Sequence, residues 1–270
     1  MLRDITLGQY YPADSVIHKL DPRVKLFGTF IYIISLFCFK GIAALAVATV
    51  FMFAVIRLSK VPFRFMVKGL RAIMILMLIT AVFNLFLTPG NVLVAFWKLK
   101  ITDAGLKNAI LMAVRLTYLI LGTSVMTLTT TPNQLTDGLE KALMPLSKIG
   151  VPVHAIAMMM SIALRFIPIL IEETDKIMKA QMARGADFET GNLITKVKNM
   201  IPLLVPLFVS AFRRADDLAM AMEARCYNGG EGRTKMKPLH YESRDHAAYL
   251  LVVGYLAAVL LCRTFLPWPM

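Results

Sequence analysis

The stretch LFGTFIYIISLFCFKGIAALAVATVFMFAVI, from Leu26 to Ile56, decides the class of fold. Built as a single helix it would extend about 46 Å, well beyond the roughly 30 Å hydrocarbon core of a bilayer. Lys40 and Gly41 interrupt the apolar run and supply a natural break. The sequence therefore predicts a tight hairpin of two short membrane helices, Leu26–Phe39 and Gly41–Ile56.

Composition and charge support a membrane protein. Of 270 residues, 57% are hydrophobic and only 17% are charged, whereas soluble domains have about 25% charged residues. The net charge of +13 would suit a polyanionic partner such as nucleic acid, but Lys and Arg in cytoplasmic loops also orient membrane proteins. The central block 130–246 is nearly neutral, with 15 basic and 13 acidic residues. The excess positive charge therefore lies around the spans, which favours an orientation signal over nucleic-acid binding.

Three further apolar runs, Ala72–Leu87, Asn108–Leu128 and Ala247–Leu266, complete a set of five predicted spans. A basic cluster precedes the third span and marks that connection, and with it the N-terminus, as cytoplasmic. The loop Thr88–Lys107 is then external. An odd number of spans returns the central block to the cytoplasm and places the C-terminus outside. The basic cluster consists of Arg57, Lys60, Arg64, Lys68 and Arg71.

Two helix starts carry recognisable capping residues. Asp21 followed by Pro22 forms a good N-cap and N1 pair for the first span. Thr131, Pro132 and Gln134 match a capping box. The second cap predicts a short amphipathic helix that ends near Pro145.

The segment Val153–Ala183 reads as a long helix with one narrow polar stripe on an apolar, methionine-rich surface. Hydropathy alone would make Val151–Ile171 a sixth span. The segment continues without a break into charged residues, and a sixth span would strand the basic loops on the wrong side, so we favour a long interfacial or cytoplasmic helix, kinked at Pro168. An exposed methionine-rich surface of this kind is typical of a binding face. The polar stripe comprises His154, Ser161, Arg165, Glu172, Lys176 and Lys179.

A second apolar helix, about Ile201–Cys226, repeats this layout and also closes on Ala-Arg followed by a small residue. Arg184 and Arg225 occupy matching positions. A cation at a helix C-terminus complements the helix dipole by about 0.3–1 kcal/mol. Alternatively, the two arginines dock into two equivalent acidic pockets on a two-lobed partner, since an Arg fork binds a carboxylate bidentately.

Five stretches together resemble the transmembrane coupling (T) subunit of energy-coupling factor transporters, and the resemblance covers nearly the whole chain. They are Gly8–Pro12 (GQYYP), Ile17–Arg23 (IHKLDPR), Leu164–Pro168 (LRFIP), Ala183–Gly185 (ARG) and Ala224–Cys226 (ARC).

The resemblance implies an all-α, multi-pass protein of the cell membrane, with about five transmembrane helices and a cytoplasmic or interfacial coupling domain of long amphipathic helices. It implies a scaffold subunit of an ABC-type importer of vitamins or other micronutrients. In that family two coupling helices dock onto two cytoplasmic ATPases, which bind ATP and Mg, and cradle a separate substrate-binding membrane subunit. The chain itself is expected to bind no cofactor.

On this basis the chain divides into a cytoplasmic N-terminal segment (1–25), four transmembrane helices (26–129), a coupling-helix domain (130–246) and a last transmembrane helix (247–270). The expected contacts with the substrate-binding subunit are Met158, Met159, Ile162, Phe166 and Ile169. The residues that match the family's ATPase-docking positions are Ala183, Arg184, Gly185, Ala224, Arg225 and Cys226.

One position departs from the family pattern. Cys226 stands where a strict Ala-Arg-Gly ending has glycine, and a residue with a Cβ is less tolerant of left-handed backbone. We expect Gly229 and Gly230 to supply the turn there instead.

Other functions find less support in the sequence. No GxxxxGK[ST] loop is present, so the chain is not expected to hydrolyse ATP, and neither the histidines nor the three cysteines have metal-ligand spacing. A stand-alone secondary transporter or channel is the alternative. It would need a polar pathway, and the spans hold few polar groups beyond Asn84 and Arg115. A membrane enzyme would need clustered carboxylates or histidines, and none is evident, so no catalytic or metal-binding residue is assigned.

Overall fold

A computed structural model describes residues 9–38, 42–89, 92–96, 99–188, 192–229, 236 and 238–265. Within these ranges the chain forms eight α-helices, a short 3-10 helix and one β-hairpin, which confirms a helical membrane protein. The elements are α1 (Pro22–Cys38), α2 (Ile42–Ser59), α3 (Phe63–Leu87), β1 (Val92–Phe96), β2 (Leu99–Thr102), α4 (Asp103–Thr129), α5 (Pro132–Leu143), the 3-10 helix (Met144–Ile149), α6 (Val153–Ala183), α7 (Leu193–Glu223) and α8 (Ser243–Phe265).

The chain folds as two compact units. The first, here called the bundle, comprises Gly8–Gly138 and Leu239–Met270, and it contains α1 to α4 and α8. The second, here called the arm, comprises Leu139–Pro238, and its main elements are α6 and α7.

The five predicted spans correspond to α1, α2, α3, α4 and α8. The break that we predicted at Lys40 and Gly41 lies outside the described residues. The helix α1 has 17 residues and is therefore about 26 Å long, slightly short of the bilayer core. By length and composition, four described segments are long enough and apolar enough to cross a membrane: Asp103–Thr129, Val153–Ala183, Ile194–Glu223 and Ser243–Thr264.

Aromatic stacking and small residues hold the centre of the bundle. The rings of Phe51 and Tyr255 stack with centroids 4.1 Å apart, and Tyr32 flanks both. Gly122 lets α4 approach α1 closely, because a Cβ at this position would lie 2.3 Å from the Tyr32 ring. The Ser35 hydroxyl shares a 2.7 Å hydrogen bond with that of Tyr255, so both of these buried hydroxyls are paired.

The connection between α3 and α4 differs from the prediction. We expected a loop over Thr88–Lys107, but this segment contains the antiparallel hairpin β1–β2, and α4 begins at Asp103. The Thr102 hydroxyl donates to the Thr88 carbonyl at 2.8 Å and accepts from the Gly105 N–H at 3.0 Å. This cap starts α4 five residues before the predicted Asn108.

The basic connection before the third span is also shorter than predicted. The helix α3 begins at Phe63 and not at Ala72, so Arg64 is an exposed residue of its first turn. Long basic side chains at a helix end can reach the aqueous interface. Basic residues such as Arg64 can therefore belong to the helix while their charged groups stay outside the bilayer core.

Both predicted helix caps are present. The Asp21 carboxylate accepts the Arg23 backbone N–H at 2.8 Å where α1 begins. Thr131 and Gln134 form the reciprocal capping box, since the side-chain oxygen of each accepts the backbone N–H of the other, at 3.3 and 3.1 Å. The helix α5 then ends at Leu143, close to the predicted Pro145.

In the arm, α6 and α7 pack as an antiparallel pair. The Glu173 carboxylate accepts hydrogen bonds from Ser210 and from Arg214, whereas Gln181 further along α6 reaches back to the Pro202 carbonyl at 3.3 Å. A later residue on α6 thus contacts an earlier residue on α7, so the two helices run in opposite directions. The bounds predicted for α6 are correct, whereas α7 starts eight residues before the predicted Ile201.

Candidate docking site on the helical arm

The C-terminus of α6 is a Schellman motif centred on Gly185. The N–H of Gly185 bonds the Met182 carbonyl at 3.0 Å, and the N–H of Ala186 bonds the Gln181 carbonyl at 3.0 Å. Gly185 has φ +88°, the left-handed conformation that this motif requires. Arg184 is the C-cap residue, with φ −90° and ψ 7°.

The C-terminus of α7 has the same motif, with Cys226 in the position that Gly185 occupies at the end of α6. The N–H of Cys226 bonds the Glu223 carbonyl at 2.8 Å, and the N–H of Tyr227 bonds the Met222 carbonyl at 3.0 Å. Our expectation that Gly229 and Gly230 replace the cap is wrong for this turn, because Cys226 itself adopts φ +56°. The two closing hydrogen bonds of the motif stabilise a conformation that a residue with a Cβ rarely adopts. Gly230 lies outside the described residues.

Arg184 and Arg225 therefore occupy equivalent C-cap positions on two equivalent helix ends. Both side chains are exposed, as are Ala183 and Ala224 before them. Within the described residues, neither guanidinium forms a hydrogen bond or an ion pair. Each helix end thus presents a cation on a fixed backbone, with a small residue on its N-terminal side.

The antiparallel packing places these arginines on opposite sides of the contact between Glu173 and Arg214, here called the α6–α7 crossing. Glu173, at the crossing, precedes Arg184 by 11 residues, and its partner Arg214 precedes Arg225 by 11 residues. At 1.5 Å per residue each arginine lies about 16 Å from the crossing, so the two are about 30 Å apart. The sequence repeat indicated equivalence of the two ends, but not that they lie on opposite sides.

Polar contacts fix this crossing. Arg214 donates from Nη2 to Glu173 Oε2 at 2.8 Å and from Nε at 3.2 Å, and the Ser210 hydroxyl donates to Oε1. Our helical projection placed Glu172 on the polar stripe, but the neighbouring Glu173 makes the contact between helices. A second bond, from the Asn199 amide to the Asp187 carbonyl at 2.7 Å, ties the start of α7 to the segment after α6.

The expected contacts with a substrate-binding subunit lie along α6 and differ in exposure. Met159 is 58% exposed, whereas Met158, Ile162, Phe166 and Ile169 are half-buried.

A longer apolar stripe on α7 was not assigned by our reading of the sequence. Its residues recur every three or four positions, which places them on one face of the helix, and each is more than half exposed. The periodicity could have identified this face, but we assigned contacts on α6 only. The stripe comprises Ile194, Val197, Ile201, Val205, Phe208 and Phe212.

The IHKLDPR motif and the nearby Lys25 lie in the bundle, where together they join three helices. Arg23 forms two hydrogen bonds to the Asp21 carboxylate, at 2.9 and 3.0 Å, and stacks 3.8 Å over the Tyr241 ring. The buried Asp245 carboxylate accepts the Asp21 N–H at 2.9 Å, which links α8 to α1. Lys25 donates to the Thr129 carbonyl at 2.8 Å, which links α1 to α4. The motif is therefore structural in the bundle.

Within the part of the chain that the structure describes, no three His, Cys, Asp or Glu side chains come together as metal ligands would. The free cysteines differ in exposure: Cys226 is exposed, and Cys38 and Cys262 are half-buried.

Comparisons with known proteins agree with the resemblance inferred from the sequence. A family model described as the cobalt transport protein CbiQ matches residues 13–236. The energy-coupling factor transporter transmembrane protein EcfT of Clostridium kluyveri is 58% identical over 268 residues, which cover 98% of this chain and 97% of the relative. The proteins of the same name from Thermosediminibacter oceani and Bacillus subtilis are 53% and 46% identical, and they match 94% and 96% of this chain and 97% and 98% of their own lengths. With its apolar helices and this likeness over almost its full length, the chain belongs to the CbiQ family and is a multi-pass transmembrane component of an energy-coupling factor transporter.

Proposed function

We propose that this chain is the scaffold of an ATP-driven importer, in which two cytoplasmic ABC ATPases dock on the two ends of the arm and a separate membrane subunit binds the substrate. The chain itself performs no catalysis under this proposal, and ATP with Mg is bound by the ATPases. Vitamins or other micronutrients are the proposed cargo.

The observation that carries the proposal is the equivalence of the two arginine-bearing helix ends. Two equivalent caps, each presenting an exposed guanidinium that is unpaired within the described part of the chain, suit two equivalent partners or two lobes of one partner. A guanidinium can bind a carboxylate bidentately. The two ends are about 30 Å apart, which is nearly three times the roughly 10–12 Å diameter of a helix with its side chains. A single small partner therefore cannot contact both ends.

The apolar surface of the arm supports the proposal that the substrate-binding membrane subunit docks on it. The α7 stripe and Met159 of α6 are exposed apolar residues, and contiguous exposed apolar patches mark interaction sites. Methionine side chains adapt to varied surfaces and phenylalanine rings contribute a large apolar area, which suits a scaffold that serves a membrane subunit.

The mechanism follows from the geometry of the arm. When ATP binding draws the two ATPases together, the docked helix ends move with them. The Glu173–Arg214 pair holds α6 and α7 together at the crossing. Motion of the helix ends therefore changes the angle between the two helices and moves the apolar residues that lie between the ends. Each nucleotide state of the ATPases must therefore favour a different arrangement of the arm.

The charge distribution supports a cytoplasmic arm and N-terminus. Arg57, Lys60 and Arg64 are exposed at the connection between α2 and α3, and short basic connections stay on the cytoplasmic side.

The test is co-purification of the ATPases with the Arg184→Glu/Arg225→Glu variant in mild detergent. We expect the ATPases to be lost, because each arginine would become a carboxylate facing an acidic pocket. The matched control is Arg165→Glu/Arg213→Glu, which makes the same charge change at exposed positions within α6 and α7. Retention of a full ATPase complement by the first variant would refute the docking role.

A further inference from the structure

A cavity of about 290 Å³ lies within the bundle between α1, α2, α4 and α8. Its walls are almost entirely apolar, and three of its apolar residues, Val16, Leu58 and Leu251, are at least half exposed. The cavity is therefore accessible from outside the bundle, past an apolar rim. Inner lining residues include Val24, Met52, Val125 and Val252.

Most polar groups in the cavity wall already form hydrogen bonds within the bundle. The Thr29 hydroxyl donates to the Lys25 carbonyl at 2.8 Å, and the Thr129 hydroxyl donates to the Val125 carbonyl at 2.7 Å. The Tyr32 hydroxyl donates to the Tyr118 carbonyl at 3.1 Å. A polar ligand would find few hydrogen-bond partners along these walls. A hydrocarbon chain needs no such partners and therefore suits the cavity better.

Lys25 is the exception. Only 8% of this residue is exposed, and it is one of the residues that line the cavity. It donates to the carbonyls of His18 at 3.1 Å and Thr129 at 2.8 Å. An ammonium has three N–H donors, and within the described residues the third has no acceptor. The nearby carboxylates are bonded elsewhere: Asp21 to Arg23, and Asp245 to backbone N–H groups.

The cavity opens at the basic end of the bundle. Leu58 in its rim lies between Arg57 and Lys60, both of which are exposed. Arg244 also lines the cavity, and its guanidinium is paired with the exposed Glu242. A buried cation beside an apolar channel, within a basic surface, complements an amphiphile that has an anionic head.

We propose that this cavity binds one acyl chain of an anionic phospholipid, whose phosphate accepts the free N–H of Lys25 and lies close to Arg244. The apolar walls select the chain, and the basic end selects the head group. Such a lipid would fill the space between α1, α2, α4 and α8 and satisfy the last donor of a buried charge.

The test uses the full chain in nanodiscs of equimolar phosphatidylglycerol and phosphatidylcholine, extracted into mild detergent and examined by native mass spectrometry. We expect the wild-type chain to retain phosphatidylglycerol over phosphatidylcholine by about fivefold, the preference that one basic group near an anionic lipid supplies. Equal retention of the two lipids would overturn the proposal.

Two pairs of variants separate head group from chain. Lys25→Met should abolish the preference for phosphatidylglycerol, whereas Lys19→Met, an exposed lysine outside the cavity, should leave it unchanged. Val252→Phe fills the cavity and should lose the lipid, whereas Val253→Phe, on the exposed side of α8, should keep it.

Three results would contradict the proposal. They are retention of lipid by Val252→Phe at the level of Val253→Phe, an undiminished preference in Lys25→Met, and displacement of the bound species by inorganic phosphate alone. Ala248→Leu, a smaller change in the same wall, serves if Val252→Phe fails to fold.

Discussion

Glu173 of α6 and Arg214 of α7 form an ion pair, with Nη2 and Oε2 2.8 Å apart, and the two residues are 41 positions apart in the sequence. The same offset of 41 relates Arg184 to Arg225 and Gly185 to Cys226. The α6–α7 crossing therefore joins equivalent positions of a repeated helix, and the two docking arginines lie at equal distances from it.

Reversing Glu173 should weaken transport without removing the ATPases. In Glu173→Arg the carboxylate that bonds Ser210 and Arg214 becomes a like charge, so the crossing loosens while both helix ends remain intact. We expect reduced ATP-dependent uptake in proteoliposomes, with unchanged co-purification of the ATPases. The double variant Glu173→Arg/Arg214→Glu should recover uptake.

The control for this experiment is Glu172→Arg, which makes the same change at an exposed neighbour that forms no hydrogen bond or ion pair with the described residues of α7. The pair is partly exposed, so its contribution to the free energy of unfolding should be no more than about 1 kcal/mol. A large stability loss in Glu173→Arg would mean that the pair holds the arm together and does not merely orient it.

The two caps should respond to substitution with opposite signs. Cys226→Gly removes a Cβ from left-handed backbone and should raise the free energy of unfolding of the arm by about 1 kcal/mol. Gly185→Ala adds a Cβ at φ +88° and should lower it by a similar amount. Thermal unfolding of the two purified variants beside the wild-type chain measures both effects. Equal shifts in one direction would be inconsistent with matching caps.

Lysine should not replace the docking arginines. Arg184→Lys keeps the charge but loses the planar fork, so a bidentate contact with a carboxylate is lost. We expect affinity for the ATPases to fall about tenfold or more, the range of a central interface arginine. Arg225→Lys should match it because the two ends are equivalent. The measurement is ATPase binding to the chain in nanodiscs, with Arg165→Lys as the control, and full affinity in both docking variants would exclude the bidentate contact.

Protonation of His18 should destabilise the bundle at acidic pH. Burial lowers the pKa of His18 below its ordinary 6.5, and Lys25 nearby acts in the same direction, against the Tyr11 carbonyl and Asp14. The folded state therefore favours the neutral ring, which accepts the Ser15 hydroxyl at Nδ1 and donates from Nε2 to Tyr11. Its stabilising effect is complete above about pH 6.5 and is lost as the pH falls towards and through the lowered value.

The measurement is the thermal unfolding midpoint between about pH 7.5 and pH 5.5, a range that brackets the unperturbed histidine. His18→Gln keeps a hydrogen-bonding side chain without a titrating ring, so its midpoint should fall less than that of the wild-type chain on acidification. An identical pH dependence in the two proteins would show that His18 is not the titrating group.

Local patterns predicted the local structure well. The Thr131 box and the bounds of α6 follow from capping residues and from helical periodicity, which are properties of a single element. The hairpin between α3 and α4 was missed because a short pair of strands beside apolar spans gives little periodic signal. Neither the direction of α7 against α6 nor the choice of Glu173 over Glu172 could be predicted, since both depend on packing between helices far apart in sequence.

The Glu173–Arg214 ion pair lies 11 residues before each arginine, so it is equidistant from the two arginine-bearing helix ends. A rotation of about 10° between α6 and α7 about this pair would displace an end about 16 Å away by about 3 Å. Because the two lever lengths are equal, the same rotation displaces both ends by the same distance. The 41-residue repeat thus makes the two docking ends respond alike to one change of angle between the helices.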